Sequence, residues 1–183
     1  MGTKATPAYE IDNHLQVRLE AYRYLKDFDC GLAMMDEYYK SGLKRALKSE
    51  NIRGIGAINP ASEVVGFGTL TLGHIDRTLA KSAIKKSNLP SQLSVVRMVM
   101  FGVDRRYQGL GIGQEILRHT FIQAAKVHNE VPIRGLYLDA APNAVSYYES
   151  LGFQSLSGPD TRGGVPMLVS IEPILRAIVD TTE

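Results

Sequence analysis

The sequence predicts an α/β fold, and three observations carry that prediction. An apolar, β-prone run, Val99-Met100-Phe101-Gly102-Val103, stops at Asp104-Arg105-Arg106, the alternating glycines Gly109, Gly111 and Gly113 follow, and a helical pattern begins directly after them. Upstream, two apolar runs flank Asn59-Pro60-Ala61-Ser62, the pattern of a hairpin. Downstream, short β-prone runs alternate with helical stretches, which is the rhythm of a sheet covered by helices.

The elements follow in order. Residues 1–12 read as a mobile lead-in, and 14–25 as a strand passing into a short turn, because Leu15, Val17 and Leu19 alternate. Phe28-Asp29-Cys30-Gly31 makes a break, with Asp29 placed to cap either the next helix or its entry turn. Residues 32–47 form an amphipathic helix with Met35, Tyr38, Tyr39, Leu43 and Leu47 near one face. The hairpin spans 52–58 and 64–72, and an insertion at 73–93 carries a basic amphipathic segment, 79–86. The central strand is 93–103 and its helix 111–129. A strand at 136–138 leads to a short helix through 148–150, ended by Gly152 at the C-cap. Strands from 153 and over 165–171 flank a glycine-rich turn, 157–164. Pro173 opens a helical tail within 173–183, whose apolar face is free to dock on the body or on a second subunit, as a homodimer would use it.

At 183 residues, 44% hydrophobic and 22% charged, the whole chain, 1–183, has the size and composition of one soluble domain. No run approaches the roughly 18 apolar residues of a membrane helix, and the first residues lack a signal peptide's apolar segment. The expectation is a cytoplasmic protein without a membrane partner. A single cysteine, Cys30, forms no internal disulfide, as suits a reducing compartment. The net charge is only +2, yet residues 74–118 hold 8 basic and 3 acidic side chains. That excess surrounds the glycine loop, where an anionic cofactor accounts for part of it. A polyanionic substrate such as RNA and a solvated charged face are equal readings of the rest.

Gly109, Gly111 and Gly113 allow positive φ and leave no side chains in the way, so successive amides can converge on one ligand at the positive end of the helix. A phosphate or pyrophosphate is the natural occupant. A P-loop would continue Gly-Lys-Ser/Thr, but Gly113 is followed by Gln114-Glu115; a dinucleotide fingerprint would space its glycines G-x-G-x-x-G, and these are even. Gln108, Gly111 and Gly113 meet Q/R-x-x-G-x-G/A instead. That pattern resembles the acetyl-CoA loop of the GNAT family of N-acetyltransferases.

A second motif strengthens the resemblance. Ala144-Val145-Ser146-Tyr147-Tyr148-Glu149-Ser150-Leu151-Gly152-Phe153 resembles the A-x-x-x-Y-E-x-x-G-F segment that follows the CoA loop in that family, and Tyr148 lies 35 positions after Gly113. With Phe28-Asp29-Cys30-Gly31, Asp36-Glu37-Tyr38, Val64-Val65-Gly66-Phe67 and Val103-Asp104, the likeness covers roughly 15–171 and points to the branch containing acetyltransferase toxins of toxin–antitoxin pairs. Two positions depart from the branch: Leu32 stands where Asn usually follows F-D-C-G, and Ala141 where many members carry Asn seven residues before the tyrosine. Asn143 is a candidate replacement there, or a helix cap.

The resemblance implies a GNAT acyltransferase fold, a mixed and mostly antiparallel sheet flanked by helices and splayed beside the central strand. Acetyl-CoA would be the co-substrate, with no metal. Backbone groups near Phe101 and Val103 would meet the pantetheine, and amides of Leu110, Gly111, Ile112, Gly113 and Gln114 the pyrophosphate, within the motif begun by Gln108 and Gly109. Arg105 or Arg106 would meet phosphate charge. Tyr148 would protonate the departing thiolate; as a neighbour of Tyr147 on one helix, only one of the two can face the cofactor, the other reading of Tyr148 being a core aromatic. The acceptor implied is a primary amine, with the amino group of charged tRNA favoured and a small antitoxin as restraining partner. Small-molecule or protein amines, and a binding protein that is itself the restraining member of a pair, are the alternatives. Cys30 has no base nearby in sequence, and His14, His74, His119 and His128 show no metal spacing.

Overall fold

The computed structural model describes residues 9–180, so the expectations for 1–8 and for 181–183 lie outside the described residues. Two compact units emerge, Met1–Leu70 with Met100–Thr120 and Thr71–Val99 with Phe121–Glu183.

In the first unit, β1 (Glu10–Asp12) pairs antiparallel with β3 (Arg53–Ile58), and β3 antiparallel with β4 (Glu63–Asp76). The two-residue β2 (Arg23–Tyr24) adds to the start of β4 in parallel. The expected lead-in therefore ends in a strand. Residues 14–25, expected as a strand, instead form two 3-10 turns, Leu15–Val17 and Leu19–Ala21, ahead of β2. The alternation misled because it had no common buried face. Leu15 is fully buried where Gly54 and Gly56 leave room for it, whereas Val17 is 73% exposed.

The helix expected at 32–47 runs as α1 (Ala33–Glu37), a π-helical turn (Tyr38–Gly42) and α2 (Leu43–Lys48). Its inner face supplies Tyr39, Leu43 and Leu47 to a core with Leu15, Phe28, Ile58, Val64 and Phe67. Phe28 stacks on Tyr39 at 3.8 Å between ring centroids, and the Tyr39 hydroxyl donates to the Val64 carbonyl and accepts from the Leu25 amide. The first half of α3 (Ile112–Glu130) lies over β4, where Gly66 and Gly68 leave a flat surface for Ile112 and Ile116.

In the second unit, β5 (Gln92–Val103) pairs parallel with β6 (Gly135–Ala140) over three positions only, ending at Met98 and Leu138. Strand β6 pairs antiparallel with β8 (Val165–Ser170) over its full length, and β7 (Gln154–Ser155) adds to β8. Antiparallel pairings outnumber parallel ones among the described residues, so the sheet is mixed and mostly antiparallel, with helices against it, as expected. The segment before β5 forms turns rather than a helix, and its Ala80, Ile84 and Leu89 are buried with Ile75, Leu93, Val95, Tyr137 and Leu168. Helix α4 (Val145–Ser150) precedes β7, and α5 (Ile171–Asp180) buries Ile171 and Ile174. No helix among the described residues is long and apolar enough to cross a membrane.

Candidate active site

The end of β5 is fixed to β4 before the loop begins. The Met100 amide donates to Thr69 Oγ1 at 3.1 Å and the Asp104 amide to the Val65 carbonyl at 2.9 Å. Phe101 packs over Gly113, where an added Cβ would lie 3.3 Å from the ring, and Val103 is buried.

Asp104 then turns the chain. Its carboxylate, 1% exposed as a residue, accepts from the Arg106 amide at 3.0 Å, from Arg106 Nε at 2.8 Å and from the Asp29 amide at 3.2 Å. Burial alone would raise this carboxyl, but the hydrogen bonds from Arg106 and the two amides outweigh it and hold the group below the usual carboxylate range. The result is a 3-10 turn, Arg105–Tyr107, capped by Asp104. Arg106 also grips Asp27 with both terminal nitrogens, at 3.0 and 3.2 Å, so its charge is committed within the protein. Arg105 is more open: its Nε lies 3.4 Å from Asp29 Oδ1 and its side chain is 63% exposed.

Gln108 donates to the carbonyls of Val103 and Cys30. Gly109 and Gly111 take φ of +77° and +83°, which side chains resist, and Leu110 between them is exposed. Helix α3 starts at once, its first bond running from the Glu115 amide to the Gly111 carbonyl. The amides of Ile112, Gly113 and Gln114 thus precede any intrahelical partner and stand at the positive end of a 19-residue helix. An anion at this turn would meet backbone donors without displacing a side chain.

Phe28-Asp29-Cys30-Gly31 is the brace beneath the loop. Phe28 anchors in the core, the Asp29 carbonyl accepts from the Arg105 amide, the Cys30 carbonyl from Gln108, and Gly31, at φ +94°, lies against the Arg105 guanidinium. Asp29 serves the entry turn, accepting from the Gly31 amide, and α1 has no side-chain cap. Asp36 reaches back to the Cys30 amide at 2.7 Å. Burial, then Asp36, pushes the Cys30 thiol up to about 11, which suits a packed residue beside Gly102 and not a nucleophile. Asp27, Asp36 and Asp104 are contributors that the sequence reading gave no role; only Asp104, two residues before Arg106, had a usable local signal, that of a cap.

In the second unit, Tyr148 is 8% exposed on α4 and Tyr147 37%. The helix closes with paired bonds, Phe153 amide to Tyr148 carbonyl and Gly152 amide to Glu149 carbonyl, with Gly152 at φ +92°. The Phe153 ring meets the Tyr148 ring edge-on at 5.6 Å, and Tyr147 meets it at 5.4 Å. The motif residues Tyr148, Gly152 and Phe153 therefore form one structural unit that sets the phenol's position. Burial, with a smaller effect of Tyr147, pushes the Tyr148 phenol up to about 12, so it holds its proton at neutral pH. Asn143 is exposed in the turn Pro142–Ala144 and does not cap α4, whose N-cap is Ala144 without a side-chain bond. No cluster of metal-ligating side chains occurs among the described residues.

The first unit holds a braced anion turn at a helix start and the second a buried, protonated tyrosine, features that fit the class of CoA-using acyltransferases. The model of the acetyltransferase (GNAT) domain matches residues 61–169, and the chain belongs to that family. It is an acetyl-CoA-dependent N-acetyltransferase. It is similar to a bacterial toxin of known crystal structure, at 32% identity and a TM-score of 0.86, over 94% of this chain and 96% of that one. It is 25% identical over 130 residues to the tRNA-acetylating toxin of Mycobacterium tuberculosis (strain ATCC 25618 / H37Rv), covering 69% of this chain and 76% of the toxin. The structure of AtaT complexed with acetyl-methionyl-tRNAfMet shares the fold, with a TM-score of 0.79, 23% identity and coverage of 93% and 99%.

Proposed function

We propose that residues 1–183 act as one cytoplasmic enzyme domain that transfers acetyl to the amino group of aminoacyl-tRNA, a toxin held in check by a small antitoxin. The observation that carries this reading is the loop 104–114, whose backbone donors are fixed by Asp104, Gln108 and the 27–31 brace, in a chain similar over nearly its whole length to a bacterial toxin. The names of the relatives supply the acceptor class.

In this reading the amides of Leu110, Gly111, Ile112, Gly113 and Gln114 hold the pyrophosphate. Arg105, less committed than Arg106, meets its charge. The strand end at Phe101 and Val103 aligns the pantetheine. The acceptor nitrogen adds to the acetyl carbonyl, whose oxygen a backbone N–H near Val103 stabilises. As the C–S bond breaks, Tyr148 gives its phenolic proton to the sulfur; the nitrogen's surplus proton leaves to water, and the phenolate recovers one from solvent. Asn143 stands at the turn before α4 as a further contact to the cofactor.

Labelled acetyl-CoA offered with charged tRNA, uncharged tRNA, polyamines and a protein extract tests the reading. Label on charged tRNA alone is the expected result. Label on another acceptor, or CoA binding without turnover, overturns it.

A further inference from the structure

The turns between β4 and β5 bear a charge that the acetyl-transfer chemistry leaves unused. Residues 76–92 carry Arg77, Lys81, Lys85 and Lys86 against Asp76 alone. This stretch is built, not loose. The Arg77 amide donates to the Ser91 carbonyl and its guanidinium to the Leu89 carbonyl at 2.7 Å, closing the base. Asp76 is engaged by the Thr78 amide and hydroxyl. The Ile84 amide reaches the Ala80 carbonyl at 2.9 Å, so Ala80 and Ile84 sit one helical turn apart, and both are buried against Ile75, Leu93, Val95, Tyr137 and Leu168. Lys81 and Lys85 follow them by one residue each and are both exposed. Burial of Ala80 and Ile84 thus leaves the lysine that follows each of them on the surface of one anchored turn segment. Lys86 is drawn aside into an ion pair with Glu172.

We propose that Lys81 and Lys85 form a docking site for the phosphate backbone of the RNA acceptor, an inference that rests on the tRNA reading above. The chemistry favours RNA over an acidic protein. Lysine ammonium groups are point charges suited to phosphates, and none of the strongly exposed large apolar side chains lies between 76 and 92 to serve as a protein anchor. Two phosphate contacts made by lysine contribute affinity that is independent of base sequence and falls with salt.

The test uses the full chain with Lys81→Ala and Lys85→Ala together, in anisotropy titrations of fluorescent uncharged tRNA across a salt series, beside steady-state transfer to charged tRNA and to a small amino-acid ester. The expected result is tRNA binding about tenfold weaker near physiological salt, and a slope of log K against log salt shallower by about 1.4 to 1.8, the value for two lost contacts. KM for charged tRNA rises, whereas KM for acetyl-CoA, turnover of the ester and the melting temperature stay unchanged. Unchanged tRNA affinity and slope overturn the proposal even where charged tRNA is acetylated. Loss of an acidic protein partner with RNA binding intact overturns it as well. If the wild type binds tRNA through these lysines but acetylates only another amine, the tRNA-acceptor reading falls and the docking site stands.

Discussion

Gln108 donates from its side-chain amide to the Val103 carbonyl at 2.9 Å and to the Cys30 carbonyl at 3.1 Å. The polar residue that begins the glycine motif is thus turned inward, holding strand, loop and brace in one arrangement. Gln108→Ala is expected to weaken CoA binding about 5- to 10-fold, or about 1 to 1.4 kcal/mol, because the loop must then be ordered by the ligand. Gln108→Glu is expected to be worse, since a carboxylate would face two carbonyl oxygens with no proton to offer. Calorimetric titration with CoA reads both, and wild-type affinity in the glutamate variant would refute the bracing role.

Asp104 gives a stability prediction with a definite sign. Its folded pKa lies below the ordinary value, so its contribution is full above about pH 4, near the unfolded carboxylate pKa, and is lost as pH falls through the lower folded value. Asp104→Asn keeps the shape but weakens the hydrogen bonds to Arg106 and Asp29, at an expected cost of about 2 kcal/mol at pH 7. Urea denaturation at pH 7 and pH 3 is the measurement. The gap between wild type and variant should narrow at the lower pH, and a gap of constant size would show that the carboxylate charge is not what stabilises the turn.

Much of the candidate site's structure was legible because it is built locally. The strand at 93–103, the glycine loop and the helix after it are contiguous, and their periodicities and turn residues agree with one another. Tyr148 was legible for the same reason, with the Gly152 cap and Phe153 within five residues. The brace was not. Asp104 meets Asp29 across 75 residues and Arg106 meets Asp27 across 79, and no spacing in a single chain announces such pairings. Arg105 and Arg106 looked equivalent in sequence, and only their carboxylate partners separate them. The segment at 14–25 was misread because alternation alone does not say whether a partner strand exists to bury one face.

Two glycines separate backbone strain from steric conflict. At Gly109, φ is +77° and an added Cβ would touch nothing within 4 Å, so Gly109→Ala is expected to cost about 1 kcal/mol, the price of a left-handed alanine. At Gly135, an added Cβ would lie 2.1 Å from the Val169 carbonyl oxygen across the β6–β8 pair. Gly135→Ala must push the strands apart, and an expected loss of about 3 kcal/mol or more follows. Denaturant melts of the two variants should differ clearly in midpoint; equal losses would mean that β6 and β8 shift freely.

Tyr148 carries the catalytic prediction. Its ring is held by Tyr147 and Phe153, so Tyr148→Phe should leave the fold and CoA affinity unchanged while turnover falls about 10²- to 10³-fold, the range for removing a general acid. The pH profile sharpens this. A phenol pushed up to about 12 by burial remains a competent acid far above neutrality, since only its protonated form can serve the sulfur. The wild-type rate should therefore rise as the acceptor amine loses its proton, around an α-amino pKa of about 8 or below, and then stay level to about pH 10.5. A descending limb centred near pH 10, the value of an unburied phenol, would mean that the proton donor is not the buried tyrosine.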